Sequence, residues 1–227
     1  SKPVILGGRT GTGKTRLLSC LAVSFDLVGL AILRGSTFGR FTTPQPGRAD
    51  FEYRLAAALT NHGAARHSRL LLGDEGRHVV KRFMPKELAQ FLNSGDLVVL
   101  DFDIEERVDN IYQEYVIDSQ KRCADLSGPK DGAQRMWHWF DDMNRNLERI
   151  AKRLGKDRFE EVKALLESGC YHQEANGDPQ AHKHWIRLLL RHYYDPMYDY
   201  QLQKRETAPV LVGKEGVIGQ YLRSLGN

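Results

Sequence analysis

Cysteine is scarce in this sequence, with three in 227 residues, at Cys20, Cys123 and Cys170. The number is odd, the spacing is wide and no C-x-x-C pair occurs. A disulfide framework and a zinc ribbon are thereby excluded, and a reducing compartment is indicated. Each cysteine is expected as a small buried apolar residue rather than a nucleophile. Long apolar runs are absent too, so no segment approaches the ~20 residues that a bilayer-spanning helix needs. The first residues show no basic, apolar and small-residue succession of a signal peptide. A cytoplasmic protein without a membrane partner is the expectation. Charge of one sign is also missing: 33 Lys and Arg against 29 Asp and Glu leave a formal net charge of +4, with a pI near 8.9. That balance is compatible with a nucleic-acid partner and does not require one. Internal repeats and low-complexity tracts are lacking. His182, His184 and His192 have no acid or cysteine at ligand spacing, so surface histidines are expected rather than a metal site.

What the sequence does have is concentrated near its start. Val4, Ile5 and Leu6 form a short apolar run of the kind that makes a buried strand. Gly8-Arg9-Thr10-Gly11-Thr12-Gly13-Lys14-Thr15 follows and fits G-x-x-x-x-G-K-[ST], the phosphate-binding loop. Leu17, Leu18, Leu21, Ala22 and Phe25 then recur at helical spacing. A backbone that wraps a phosphate with N–H groups must turn tightly and come close, which calls for the three glycines. Lys14 adds a full charge, and the Thr15 hydroxyl is of the type that ligates Mg²⁺. Residues 8–15 are therefore the candidate phosphate site.

Downstream, apolar strands alternate with helical patterns. Ala31-Ile32-Leu33 is an expected strand, and the Arg34–Arg40 stretch behind it, with Arg34, Ser36 and Arg40, is either an anion-binding loop or a solvated turn. Asp50 is an expected N-cap for a helix with Phe51, Leu55, Ala58 and Leu59. Leu70 to Glu75 reads as a strand ending in carboxylates, where Asp74 is either the Mg²⁺-holding acid that phosphate-loop proteins carry there or a strand-end cap of the next turn. Glu75 and Asp101 are weaker candidates to position a metal or water. Residues 85–92 read as a short helix and Leu97 to Leu100 as a strand. An amphipathic helix carrying Ile104, Val108, Ile111 and Tyr115 follows, with Glu105, Glu106 and Arg107 expected outward. This is the pattern of an α/β fold with a parallel sheet flanked by helices.

The turn cluster Ser127 to Gly132 suggests a division into a phosphate-loop core over 1–125, a mostly helical region over 126–207, and a last strand and helix over 208–227 that return to the core. Trp137, Phe140, Met143, Leu147, Ile150 and Leu154 define one apolar helix face, and Arg145, Arg149, Lys152, Arg153 and Lys156 the opposite one. Such a charge run is either a solvated face or a polyanion contact. A shorter helix with Phe159, Val162, Leu165 and Leu166 is expected to stop at Gly169. A helix from Ala181 carries Lys183, Arg187 and Arg191 into Tyr193-Tyr194-Asp195-Pro196-Met197-Tyr198-Asp199-Tyr200, read as a proline-stopped turn whose aromatics either stack bases or pack.

Taken together, Gly8 to Thr15, Asp26-Leu27-x-Gly29-Leu30-Ala31, Arg34-Gly35-Ser36-x-Phe38-Gly39, Phe51-Glu52, Asp74-Glu75-x-Arg77, Arg149-x-x-x-Arg153-Leu154-Gly155 and Tyr193-Tyr194-Asp195-Pro196-Met197-Tyr198-x-Tyr200-Gln201 resemble the phosphate-loop domain of bacterial tRNA 2-selenouridine synthase. The likeness runs along essentially the whole chain. It departs at Gly73, where a further acid is expected. The resemblance implies a transferase that replaces the sulfur of wobble 2-thiouridine in tRNA by selenium from selenophosphate. It also implies geranyl diphosphate as a substrate and a geranylated intermediate. A rhodanese-like domain with an essential Cys, in cis or in trans, is implied as partner, and in a protein that acts on tRNA the five cations of residues 145–156 are the expected contact to its backbone. No catalytic residue is assigned within this chain. ATP or GTP binding is also compatible with the loop, and a small-molecule or nucleotide kinase and a nucleotide-dependent RNA-binding module are the alternative readings.

Overall fold

Val4–Gly8 form β1, and all five residues are buried. A strand with no exposed side belongs to a parallel sheet covered on both faces. In the computed structural model the described residues are 2–21, 24–25, 47–64, 69–74, 86–126, 132–205 and 207–225. Among them β2 (Ser24–Phe25), β3 (Leu71–Gly73), β4 (Asp96–Leu100) and β5 (Leu211–Gly213) join β1 in a parallel sheet of order β2-β3-β1-β4-β5. The helices, in chain order, are α1 (Lys14–Ser19), α2 (Arg48–Ala64), α3 (Lys86–Asn93), α4 (Ile104–Ile111), α5 (Asp118–Leu126), α6 (Gly132–Glu148), α7 (Ala151–Leu154), α8 (Lys156–Asn176), α9 (Lys183–Leu189), α10 (Asp195–Gln203) and α11 (Glu215–Ser224).

These elements fall into two compact units. The first holds the described residues up to Phe102 and those from Arg205 onward, and the second holds Asp103–Lys204. In the first, Val4, Leu6, Leu71, Val98 and Leu100 share one sheet face and pack with Leu17 of α1, with Leu21 just after it, and with Ile218 and Leu222 of α11. Ile5, Leu72, Leu97 and Val99, of the opposite parity, are buried as well. The register pairs Leu6 with Gly73 and Val98, and Gly8 with Leu100. The carboxyl ends of β1, β3 and β4 thus lie side by side, where open α/β sheets bind ligands. The strand expected at 31–33 lies outside the described residues.

The second unit is helical, and its boundary differs from the expected residue 125. Val108, Ile111, Tyr112, Tyr115 and Val116 belong to the core built around Trp139, so the helical unit takes in α4 and α5 from Asp103 onward. A π-helical turn, Tyr112–Ile117, joins α4 to α5, with the Asp118 N–H bonded to the Gln113 carbonyl. The buried Trp139 indole donates to the Tyr115 carbonyl in that turn at 2.9 Å. The apolar face of α6 is centred on Trp139, Met143 and Leu147, while Trp137 and Phe140 are only partly buried. Trp137-His138-Trp139-Phe140 offers two helical registers, and packing selects the one that gives Trp139 a buried acceptor. The helix is interrupted at Arg149 and Ile150, so the single helix expected through Leu154 is α6, a turn, and α7.

Three further expectations are corrected here. Gly169 does not stop a helix: α8 runs to Asn176 and ends at Gly177 in the left-handed region, φ 69°. Pro196 does not stop one either. The chain passes from α9 through a π-helical turn, Leu190–Tyr194, into α10, and the Asp195 N–H reaches back five residues to the Leu190 carbonyl. A wide turn directly before a proline accommodates its ring and its missing donor. Arg107 is not on the outer side of α4; it is 2% exposed and forms a bidentate pair with Asp195, at 2.6 and 2.7 Å.

Candidate functional site

The loop after β1 is a tight turn shaped by its glycines. Gly8 and Gly13 take φ of 148° and 77°, and Gly13 precedes the first residue of α1 in the left-handed region. A Cβ at Gly8 would lie 2.8 Å from the Thr12 hydroxyl and 2.9 Å from the Leu100 carbonyl, so only glycine fits there. Thr12 is buried and ties the loop internally, its hydroxyl donating to the Arg9 carbonyl at 2.9 Å. Lys14 is 7% exposed, and its Nζ donates to the Gly8 carbonyl at 2.6 Å and to the Arg9 carbonyl at 3.4 Å. The ammonium is thereby folded across the loop, at the carboxyl end of the sheet, where a phosphate would compete for it. Thr15, one residue on, is exposed.

The candidates on neighbouring strands divide. Asp74 directly follows β3, with its N–H on the Leu6 carbonyl at 2.9 Å. Its Oδ1 is held by Arg205 Nη2 at 2.5 Å, both side chains being largely buried. Asp101 follows β4 and is exposed, with its N–H on the Gly213 carbonyl. At Gly73, the position that departs from the family pattern, a Cβ would stand 3.2 Å from Leu18 Cδ1, so α1 packs over it. Arg34, Ser36, Arg40 and Glu75 lie outside the described residues. Among the described residues no group of three or more His, Cys, Asp or Glu is placed to hold a metal ion. Magnesium prefers oxygen ligands and retains several waters. The Thr15 hydroxyl and the Asp74 carboxylate fit only such a partly hydrated ion, completed by phosphate oxygens. Sequence reasoning missed Arg205, since Lys204-Arg205-Glu206-Thr207 carries no pattern that separates it from a solvated connection.

In the helical unit, the five expected cations are all exposed, but they do not share one helix. Arg145 lies on α6, Arg149 in the turn, Lys152 and Arg153 on α7, and Lys156 starts α8. Arg145 pairs with Asp142, and Arg149 donates to Asn146 at 2.5 Å. The tyrosine-rich segment divides: Tyr193 and Tyr194 are buried in edge-to-face contact at 4.9 Å, and Tyr200 is exposed beneath the Lys204 ammonium. Asp195 within it is the counter-ion of Arg107. His184 and His192 are exposed, but His182 is fully buried, a correction to the expected surface position.

The cysteines also sort by environment. Cys20 is exposed at the end of α1, not inside its apolar face. Burial raises the Cys123 thiol above its ordinary value, Asp142 adds to this, and Arg122 opposes it. Cys170 lies inside α8 with no exposure, and burial, with Glu167 and Glu174, pushes it up to about 12.

Residues 1–226 match the family described as the tRNA 2-selenouridine synthase AAA domain. Proteins named tRNA 2-selenouridine synthase are similar along nearly the whole chain. That of Sulfurovum sp. is 38% identical over 98% of this chain and 60% of its own length. That of Cupriavidus pinatubonensis is 37% identical over 97% and 59%, and that of Hydrogenovibrio crunogenus 42% identical over 96% and 57%. The chain therefore spans about three fifths of the length of these relatives. No solved structure matches it.

Proposed function

Because this chain belongs to the tRNA 2-selenouridine synthase family, we propose that it is the part of such an enzyme that binds tRNA and a phosphate or diphosphate substrate during conversion of wobble 2-thiouridine to 2-selenouridine. The observation that carries this reading is the glycine-shaped loop that holds the buried Lys14 Nζ 2.6 Å from the Gly8 carbonyl, at the carboxyl end of the sheet. Geranyl diphosphate, giving a geranylated thiouridine, would leave diphosphate. Selenophosphate would lose phosphate. Both departures build negative charge on oxygen, and a fixed ammonium with backbone donors around it stabilises that charge without reorganising at the moment of reaction.

Lys14 would exchange its loop carbonyls for the departing oxygens, and Arg9 to Thr12 would supply the surrounding backbone. Thr15 and Asp74 would hold Mg²⁺, which supplies further positive charge at the same oxygens. No nucleotide hydrolysis is required by this scheme, which separates it from a kinase: a kinase would transfer label from ATP to an acceptor. The exposed cations from Arg145 to Lys156 would contact the tRNA backbone, and a rhodanese-like domain would supply the selenium-transferring thiol.

Calorimetry with geranyl diphosphate tests the loop. Lys14→Ala is expected to weaken binding by about 2 to 3 kcal/mol, the scale of a charge-assisted contact in a partly buried site. Equal binding by wild type and a folded Lys14→Ala protein would overturn the assignment.

A further inference from the structure

Arg205 is a cation at the carboxyl end of the sheet that the loop motif does not include. Its side chain is 8% exposed, and it reaches Asp74 Oδ1 through Nη2 at 2.5 Å. Asp74 is placed by backbone: its N–H bonds the Leu6 carbonyl at 2.9 Å, directly before Gly7 and Gly8 open into the loop. The pair therefore stands beside the base of the phosphate loop, in the same compact unit.

A guanidinium carries five N–H donors in a planar fork. Among the described residues the Arg205 fork has Asp74 as its acceptor, through a single nitrogen. A largely buried guanidinium whose other donors meet no described residue is suited to an anion, and the planar fork matches phosphate oxygens better than an ammonium does. Asp74 meanwhile holds that fork by one edge and sets a negative charge where an entering phosphate would arrive. Without Mg²⁺ its effect on the anion is repulsive, and its effect on Arg205 is retention.

We propose that Arg205 is a second ligand for the phosphate group at the loop, retained by Asp74 in the free protein and turned to the anion on binding. This rests on the reading of the loop as a phosphate site and adds a specific residue to it. Lys14 then meets the anion from the loop as a point charge, and Arg205 meets it from the β3 side as a fork. A diphosphate, with oxygens on two phosphorus atoms, suits two separated cations better than a monophosphate does.

The test is titration calorimetry of inorganic diphosphate, with EDTA present, into wild type, Lys14→Ala, Arg205→Lys, Arg205→Ala and Asp74→Asn. Both Arg205 variants are expected to lose on the order of tenfold in affinity, as for removal of a charge-assisted contact. Asp74→Asn, which frees the fork and removes the repulsion, is expected to tighten binding several-fold. Arg205→Ala and Asp74→Asn should both lower the melting temperature, since each breaks the pair. Opposite effects on affinity alongside like effects on stability are what a structural salt bridge would not produce. Arg205→Lys keeps the test open if the alanine variant fails to fold. If both Arg205 variants bind as wild type does while Lys14→Ala does not, the proposal alone is overturned. Weakened binding by Asp74→Asn overturns it too and makes the pair structural. Absence of diphosphate binding by wild type in EDTA overturns the proposal, and its absence in Mg²⁺ as well removes the phosphate reading beneath it.

Discussion

His182 shows how much one side chain can be fixed by its neighbours. Its Nδ1 lies 3.1 Å from the Trp185 indole N–H, which can only donate, so Nδ1 is the acceptor. The proton of the neutral ring is then on Nε2, 3.1 Å from Gln173 Oε1, and Gln173 in turn exchanges amide bonds with Gln120. Every polar atom of the ring is used by the neutral form. Burial lowers its pKa from 6.5 to about 4. The folded pKa lies below the unfolded one, so the unfolded state binds more protons between these values. The contribution to stability is complete above pH 6.5 and is lost as pH falls through that window towards 4, up to on the order of 3 kcal/mol. Urea unfolding at pH 7 and pH 4.5 should show this loss, and His182→Gln should reduce the difference between the two pH values. An unchanged difference would remove His182 as its source.

Among the elements, α8 depends on a residue that looks like its end. Gly169 is buried inside the helix, and a Cβ there would lie 2.6 Å from His182 Nδ1 and 2.8 Å from Cε1. The His182 ring is pinned on both sides and cannot swing away. Gly169→Ala should therefore destabilise by about 1 to 3 kcal/mol, the cost of overpacking, although alanine is the better helix former by about 1 kcal/mol. A melting temperature raised by Gly169→Ala would contradict the close packing. The corner from α6 through α7 to α8 carries its cations outward. Replacing Arg149 and Lys152 by Glu should weaken tRNA binding and flatten its dependence on salt by roughly one to two units of slope, as two phosphate contacts are lost. An unchanged slope would mean that this corner is merely solvated.

For the whole molecule, the decisive number is the three fifths of the relatives' length that this chain spans. Burial raises the Cys123 and Cys170 thiols, which disfavours their nucleophilic thiolates, and Cys20 sits at the end of α1 rather than in a loop of backbone donors. The chain alone should bind its ligands yet form no 2-selenouridine when given selenophosphate and tRNA bearing geranylated 2-thiouridine. Mass spectrometry of the digested tRNA reads the outcome. Robust turnover without a rhodanese-like partner would place the essential chemistry within these residues.

The sequence by itself determined the parallel α/β unit, because a buried strand needs a continuous apolar run and a phosphate loop needs glycines and lysine at fixed offsets. Those signals are local, and β1, the glycine-rich turn behind it, β3, β4, β5 and α11 lie where they indicate. Tertiary structure decided what local pattern leaves open. Trp139 rather than Trp137 enters the core, where its buried indole has the Tyr115 carbonyl as acceptor, while the Trp137 indole reaches the exposed Glu174 carboxylate. Gly169 and Pro196 read locally as stops, yet a close ring on one side and a π-helical turn on the other carry the helices past them. Arg107 and Asp195 are 88 positions apart, and Asp74 and Arg205 are 131 apart. Such pairings have no sequence signature, because charge carries no information about its partner until the fold removes both from water.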